Sequence, residues 1–393
     1  MAELKVAHLL PDYNPFPPQY AAGTELRVAR IARLQSAYCP LVICGAFDEQ
    51  PEREPIGKGM IRRVRINQLY RRIFQKITRL DPYSYADRVN RIMRSENVNI
   101  LHVHNENKLL HALSRHLRSS PLPVILHVAN ERPVFPQHED LVTRWVACSN
   151  YIKNDLINKG IAADKISVIY TGVDSRLKPC WQLDEPERSA LRAAHGINEP
   201  NAIVLLFAAR LVREKGLSEL LSAFTQLRQQ SASPLYLLVA GNVRESNDPA
   251  NEKANYGREM VQRMGKTVGV KWVGSLHPAR VHDFMLSGDI FVLPSLWHDP
   301  FPTVMLEAAA AGLPIAGSKR GGIPEFLSDC PGIPLVETPE SPEEWIKALK
   351  PLINDANIRR KAGHFLRKRI DESYSWERVC KGCERLYDQL LTA

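Results

Sequence analysis

The sequence predicts an α/β protein made of two doubly wound parallel-sheet domains, and three observations predict it. Short apolar runs bounded by turn residues alternate with helix-period segments along the whole chain. Most of these runs are continuously apolar, as strands buried on both faces of a parallel sheet require. The rhythm breaks once, between Val173 and Asn201, at a polar, proline-containing stretch (DSRLKPCWQLDEPER), and 393 residues leave room for a domain on either side.

Before the break the apolar runs are residues 5–10, 41–44, 100–103, 124–128, 145–148 and 167–170; after it they are 202–208, 235–240, 271–273, 290–293, 314–316 and 333–336. The predicted domains are residues 1–175 and 176–375, with a final helix over 376–393. Two doubly wound domains facing each other form a cleft lined by the C-terminal ends of strands, where such folds bind ligands.

Hydrophobic residues make up 44% and charged residues 24%, which fits a globular chain, and no run is long enough to span a bilayer. The start, MAELKVAHLL, lacks a basic segment followed by a long apolar one, so a cytoplasmic location is expected. The seven cysteines fit that compartment; Cys380 and Cys383 form a CxxC without a second pair and read as structural. Net charge is +9, and residues 58–94 hold eleven Lys and Arg against two Asp. There Ile66, Leu69, Tyr70, Ile73, Phe74 and Ile77 recur at helical spacing between Arg71, Arg72, Lys76 and Arg79. A basic amphipathic helix suits the inner face of an anionic membrane, but a core-facing helix with a solvated basic face is the favoured explanation of the pattern.

Three segments carry chemistry. In LWHDPFPTVMLEAAAAG a strand ends at Ser295, and Pro300 and Pro302 keep the loop out of helix. Thr303 is placed to cap a helix that stops at Gly312. The free amides of Thr303, Val304 and Met305 then make an anion site flanked by Asp299 and Glu307. In FAARLVREKGL, Arg210 follows a buried strand and Lys215 precedes a helix, a cation pair suited to a diphosphate. Ala22 and Gly23, before Thr24 and Glu25, form a phosphate-loop candidate after the first strand. Neither a P-loop nor a GxGxxG after a strand is present. His102 and His104 alternate at a strand end, and i, i+2 spacing makes a metal pair conceivable; without a carboxylate trio, a structural or acceptor-lining role is expected.

Together these segments resemble the retaining nucleotide-sugar glycosyltransferases of family four, which have the GT-B fold: two Rossmann-like domains facing a central cleft. Asp299 and Glu307 correspond to the family's E-x7-E. Arg210 and Lys215 match its arginine–lysine pair, and GLPIAGSKRGGIPEFL its stretch leading into Gly321, Gly322 and Glu325. VACSNYIKNDLINKGIAADKISVIYTGVD matches its interdomain signature, and His127 its active-site histidine. Asp299 is one methylene shorter than the usual Glu, and Pro302 stands where Gly is common, removing one amide donor.

The resemblance implies a transferase that moves a hexose-type sugar from a nucleoside diphosphate sugar, a UDP-sugar above all, to a hydroxyl of a glycan, lipid or small molecule, as in cell-surface polysaccharide biosynthesis. His127, Asp299 and Glu307 would be the catalytic set. Gly23, Arg210, Lys215 and the 303–305 amides would hold the diphosphate, and Gly241, Asn242 and Glu307 the nucleoside. Asn130 and Glu131, just after His127, are read either as lining the acceptor pocket or as simply forming a turn. The resemblance implies front-side displacement with retention, in which the leaving phosphate helps to deprotonate the acceptor. It implies no metal, no cofactor and no nucleic acid. A GT-B nucleotide-sugar epimerase and a silent family member acting in assembly are the alternatives.

Overall fold

A computed structural model describes residues 3–392 apart from 19–22, 48, 67, 68, 70–72, 74, 75, 78–83, 135–138, 245, 247, 249 and 334. Contacts divide the chain into two units: unit 1, Met1–Thr171 with Trp376–Ala393, and unit 2, Gly172–Ser375.

Unit 1 is an eight-stranded sheet of β1 (Lys5–Leu9), β2 (Cys39–Gly45), β3 (Arg53–Ile56), β4 (Gly59–Val64), β5 (Ile100–His104), β6 (Val124–Val128), β7 (Arg144–Ala147) and β8 (Ile166–Val168). The order is β3-β4-β2-β1-β5-β6-β7-β8, parallel except for the β3–β4 hairpin. Its helices are α1 (Gly23–Leu34), α2 (Tyr85–Ser95), α3 (Asn107–Ser119), α4 (Asn150–Asn158) and, from the far end of the chain, α13 (Trp376–Thr392).

The apolar runs at 5–10, 41–44, 100–103, 124–128, 145–148 and 167–170 each fall on a strand, the last of them only as far as Val168. The β3–β4 hairpin was not foreseen. Its sequences REPI and GMIRRV are charged: β3 is the edge strand, and in β4, beside it, the buried Arg63 is accommodated by Phe16 O and the Glu54 carboxylate. The expected basic helix rests on Tyr70, Arg71, Arg72, Phe74 and Arg79, which lie outside the described residues.

One face of this sheet is closed by α13. Val379, Cys383, Leu386 and Tyr387 pack on Val6, Ile100, Ile125 and Val146 together with Ile31 of α1. Cys380 and Cys383 are both buried on this helix, and Cys383 serves as core. A second cluster, around Leu10, Phe16, Val28, Val42 and Ile61, holds α1 to the β2–β4 side. Each aliphatic side chain buried this way contributes about 1.5–3 kcal/mol.

Unit 2 is a five-stranded, wholly parallel sheet of β9 (Ile203–Ala208), β10 (Leu235–Ala240), β11 (Val270–Gly274), β12 (Ile290–Leu293) and β13 (Ile315–Gly317), ordered β11-β10-β9-β12-β13. Helices α5 (Glu185–Ala193), α6 (Leu217–Gln230), α7 (Glu252–Lys266), α8 (Val281–Leu286), α9 (Thr303–Ala310), α10 (Ile323–Leu327), α11 (Pro342–Asn354) and α12 (Ala356–Ser373) complete it. Of the run at 333–336, the described residues form no strand: Val336 makes an isolated bridge to Ser318. In α9 the small residues at 308–310 are fully buried, and the helix stops at Gly312, whose amide bonds Ala309 O.

No helix among the described residues is long and apolar enough to cross a membrane.

Candidate functional site

The C-terminal ends of β9, β12 and β13 are neighbours in the unit 2 sheet, and the loops that leave them are stitched together. Leu296 N donates to Glu214 O at 2.9 Å, joining the loop after β12 to the turn after β9. Gly322 N donates to Asp299 O at 2.8 Å, and Gly321 N to His298 Nδ1 at 3.1 Å, joining the loop after β13. Two glycines permit these approaches. A Cβ on Gly216 would lie 1.8 Å from Pro294 O, and one on Gly321 2.2 Å from Asp299 O; both residues have positive φ.

This stitching sets the charges. Lys215 Nζ meets Asp299 Oδ2 at 2.5 Å, with both side chains largely buried (14% and 9% exposed), and stands 5.2 Å over the Trp297 ring. Arg210, two residues beyond β9, is exposed; its carbonyl accepts from Val212 N at 2.9 Å, and its guanidinium has no hydrogen bond or ion pair among the described residues. The region therefore offers one uncommitted guanidinium and one ammonium whose partner is a carboxylate.

The helix start differs in detail from the expectation. Pro302 is the N-cap, Thr303 is the first helical residue, and no side chain caps the helix. The amide of Met305 donates to Pro302 O at 3.2 Å. The amides of Thr303 and Val304 stay uncommitted among the described residues, so the anion-binding end has two donors rather than three.

Glu307, in the second turn of α9, is half-buried, and its carboxyl has no hydrogen-bond partner among the described residues. Burial pushes its carboxyl up from 4.5 to about 7. Such a group accepts bonds from ligand hydroxyls when ionised and is costly to keep ionised without them.

Gly241 and Asn242 follow β10. Gly241 donates to Gly274 O at 2.8 Å and accepts from Trp272 Nε1 at 2.9 Å, so its backbone groups are committed. Asn242 is exposed and accepts at its carbonyl from Leu211 N. Sequence reasoning missed Trp297 and the buried hydroxyls of Ser295 and Ser318, which have no partner among the described residues. Gly216 escaped notice too, although the glycine after Lys215 was a readable signal.

In unit 1, Gly23 opens α1, and nothing lies within 4 Å of where its Cβ would be, which leaves its backbone approachable. Ala22 lies outside the described residues. Glu25 is buried and accepts from Asn14 Nδ2 at 2.7 Å. His127 was expected beside a ligand; the structure buries it completely on β6, with neither ring nitrogen partnered among the described residues. Desolvation, with Arg27 and His102 nearby, holds it well below the usual histidine range, and hence neutral. Beyond β6, Asn130 is half-buried, and Glu131 accepts from the Tyr151 hydroxyl.

Comparison with known proteins decides the family. Residues 22–177 match the family described as Glycosyltransferase Family 4, and residues 187–369 match Glycosyl transferases group 1. The chain belongs to glycosyltransferase family four. This glycosyltransferase is 28% identical over 375 residues to the lipopolysaccharide 1,2-N-acetylglucosaminetransferase of Salmonella typhimurium, covering 94% of each chain. Spore coat protein SA of Bacillus subtilis is 24% identical, over 79% of this chain and 83% of that one. A glycosyltransferase from Rickettsia africae superposes with a TM-score of 0.77 at 15% identity, covering 100% of this chain and 99% of that chain. Anabaena HepE, solved in complex with UDP and glucose, gives a TM-score of 0.74 at 17% identity, covering 98% and 100%. These structures share its GT-B fold.

Proposed function

We propose that this glycosyltransferase uses a UDP-sugar as donor and passes a hexose-type sugar, with retention and without a catalytic metal, to a hydroxyl of a growing glycan. The carrying observation is the stitched unit 2 site. Arg210 without a partner, Lys215 held by Asp299 and the two uncommitted amides of α9 stand at the ends of adjacent parallel strands. Negative charge develops on the diphosphate as the glycosidic bond to it breaks, and fixed cations and amides stabilise that charge. A diphosphate would compete with Asp299 for Lys215 and free that carboxylate for a sugar hydroxyl. Glu307, once ionised, would accept bonds from the ribose hydroxyls.

In unit 1 the proposal keeps Gly23 as a point of close backbone approach and Asn130 with Glu131 as acceptor contacts. His127 becomes a positioning residue. Its carbonyl accepts from Asn105 N at 2.7 Å, and Asn105 Oδ1 accepts from Ala129 N at 3.1 Å, so the strand end is tied to the loop carrying Asn130. The UDP and glucose named with HepE support the donor class, and the Salmonella relative's lipopolysaccharide name supports a glycan acceptor.

The test is a panel of UDP-, GDP- and ADP-sugars in thermal shift, followed by turnover with no metal added and NMR of the product's anomeric centre. A UDP-sugar should stabilise the protein and an α-donor should give an α-linked product. Stabilisation only by other nucleotides, or an inverted product, would overturn the reading.

A further inference from the structure

Unit 1 holds a cluster of metal-ligating side chains that the transfer reaction does not use. Parallel register sets His8 beside His102 across β1 and β5, and His104 beside His127 across β5 and β6. Two-residue alternation puts His102 and His104 on one face of the sheet. All four rings are buried on the face closed by α13, next to Tyr387. From the sequence only His102 and His104 could be paired; the fold adds His8.

One ring nitrogen from each of His8, His102 and His104 lies within 4.8 Å of the other two, and His8 Nδ1 is 3.1 Å from His104 Nε2. Ligands about 2.0–2.1 Å from a tetrahedral zinc ion stand roughly 3.4 Å from one another. The His8–His104 pair is therefore already near ligand spacing, and His102, whose ring stacks on His104 with centroids 4.1 Å apart, must rotate to aim its free nitrogen at the same point.

Two of the rings are oriented from outside the cluster, as ligating histidines are. Gln35 Oε1, 3.0 Å from His8 Nε2, holds the proton on that nitrogen and leaves the Nδ1 lone pair for the cluster. Tyr387 Oη engages His102 Nδ1 at 2.8 Å, while His102 Nε2 has no partner among the described residues.

Charge is the obstacle, and Arg27 shows how it is met. Three neutral imidazoles bring no negative charge, and a buried divalent ion beside a guanidinium needs an anion. Arg27 is 3% exposed, and its Nε and Nη2, the parallel edge that grips anions, have no partner among the described residues. We propose that His8, His102 and His104 form a structural site for a divalent transition metal, zinc by preference, whose fourth ligand is a small anion such as hydroxide or chloride held by Arg27. Zinc suits the site because it accepts three histidines in a tetrahedron and needs no redox partner.

The experiment strips the chain with a chelator, then titrates it with Zn²⁺ alone by calorimetry and with Co²⁺ alone by absorption. One Zn²⁺ per chain, a tetrahedral cobalt spectrum and a higher melting temperature in Zn²⁺ are expected. His8→Gln and His104→Gln should each weaken binding at least tenfold and remove the cobalt spectrum. His111→Gln, at an exposed position, should keep both. Wild-type chain that takes up no stoichiometric metal overturns the proposal, as does uptake that both ligand variants leave unchanged. Should one variant fail to fold, the other and the wild-type stoichiometry still decide.

Discussion

Replacing Glu307 with Gln should make the protein more stable and less able to hold its donor. The carboxyl sits at about 7 rather than 4.5 because burial disfavours its charge. That difference is about 3 kcal/mol at 1.36 kcal/mol per unit, and partial solvent access trims it to about 2–3 kcal/mol. A raised carboxyl means that the folded state binds more protons than the unfolded one between pH 4.5 and 7. The penalty is absent below that window, grows as pH rises through it, and is complete above pH 7. Glu307→Gln escapes it. The variant should therefore match the parent near pH 4.5 and melt roughly 4–12 °C higher at pH 8 in the transition that reports unit 2. Calorimetry with UDP should show the opposite trend, a loss of roughly 10–100-fold, because hydrogen bonds to a charged acceptor contribute about 1.5–3 kcal/mol. In the parent, UDP should bind about tenfold more weakly at pH 6 than at pH 8, since only about a tenth of the carboxyl is ionised at the lower pH. A variant that melts no higher than the parent at pH 8, or that binds UDP as tightly, refutes the reasoning.

Arg210→Ala should leave the melting temperature within the spread of neutral surface changes, about 0.5 kcal/mol, yet cut turnover about 10²-fold, because the side chain has no partner to lose. A large drop in stability would show that the guanidinium has a structural task. Lys215→Ala should lower both turnover and stability, since it strands the largely buried Asp299 carboxylate; adding Asp299→Asn should restore part of the stability and none of the turnover, as a double-mutant cycle would read out. Gly321→Ala places a methyl against Asp299 O at positive φ and should cost about 1–3 kcal/mol. Its turnover should fall further than its melting temperature suggests, because the displaced atoms belong to the site; unchanged kinetics would separate the loop from the chemistry.

Much of the fold was readable because parallel strands buried on both faces must be apolar throughout. Residues 124–128, 235–240 and 290–293 were placed to the residue. The β3–β4 hairpin was hidden by the same logic: β3 is an exposed edge strand, and β4, the strand beside it, carries Arg62 and Arg63 and so breaks the apolar pattern that betrays its neighbours. Within the candidate site, residue types and order pointed to Arg210, Lys215, Asp299 and Glu307, but not to who holds whom. The Lys215–Asp299 pair spans 84 positions and arises from strands brought together by the sheet order. Thr303 was misread as a cap because a threonine before an apolar run is the usual sign; Pro302, with its fixed φ, took the position instead. His127 was legible as a histidine near a strand end. Only the alternation of β6 decides that its ring points into the sheet's covered face and not toward solvent.

The return of α13 to the first sheet bears on how the chain is made. Val173 N donates to Tyr374 O at 2.9 Å, so the polypeptide enters and leaves unit 2 at one place, and unit 2 is in effect a complete domain spliced into another. A nascent chain finishes unit 2 before it supplies the helix that covers Val6, Ile100, Ile125 and Val146. During that interval the older sheet carries a bare apolar face beside four unshielded histidines, at the stage of synthesis when a partner that shields hydrophobic surface matters most.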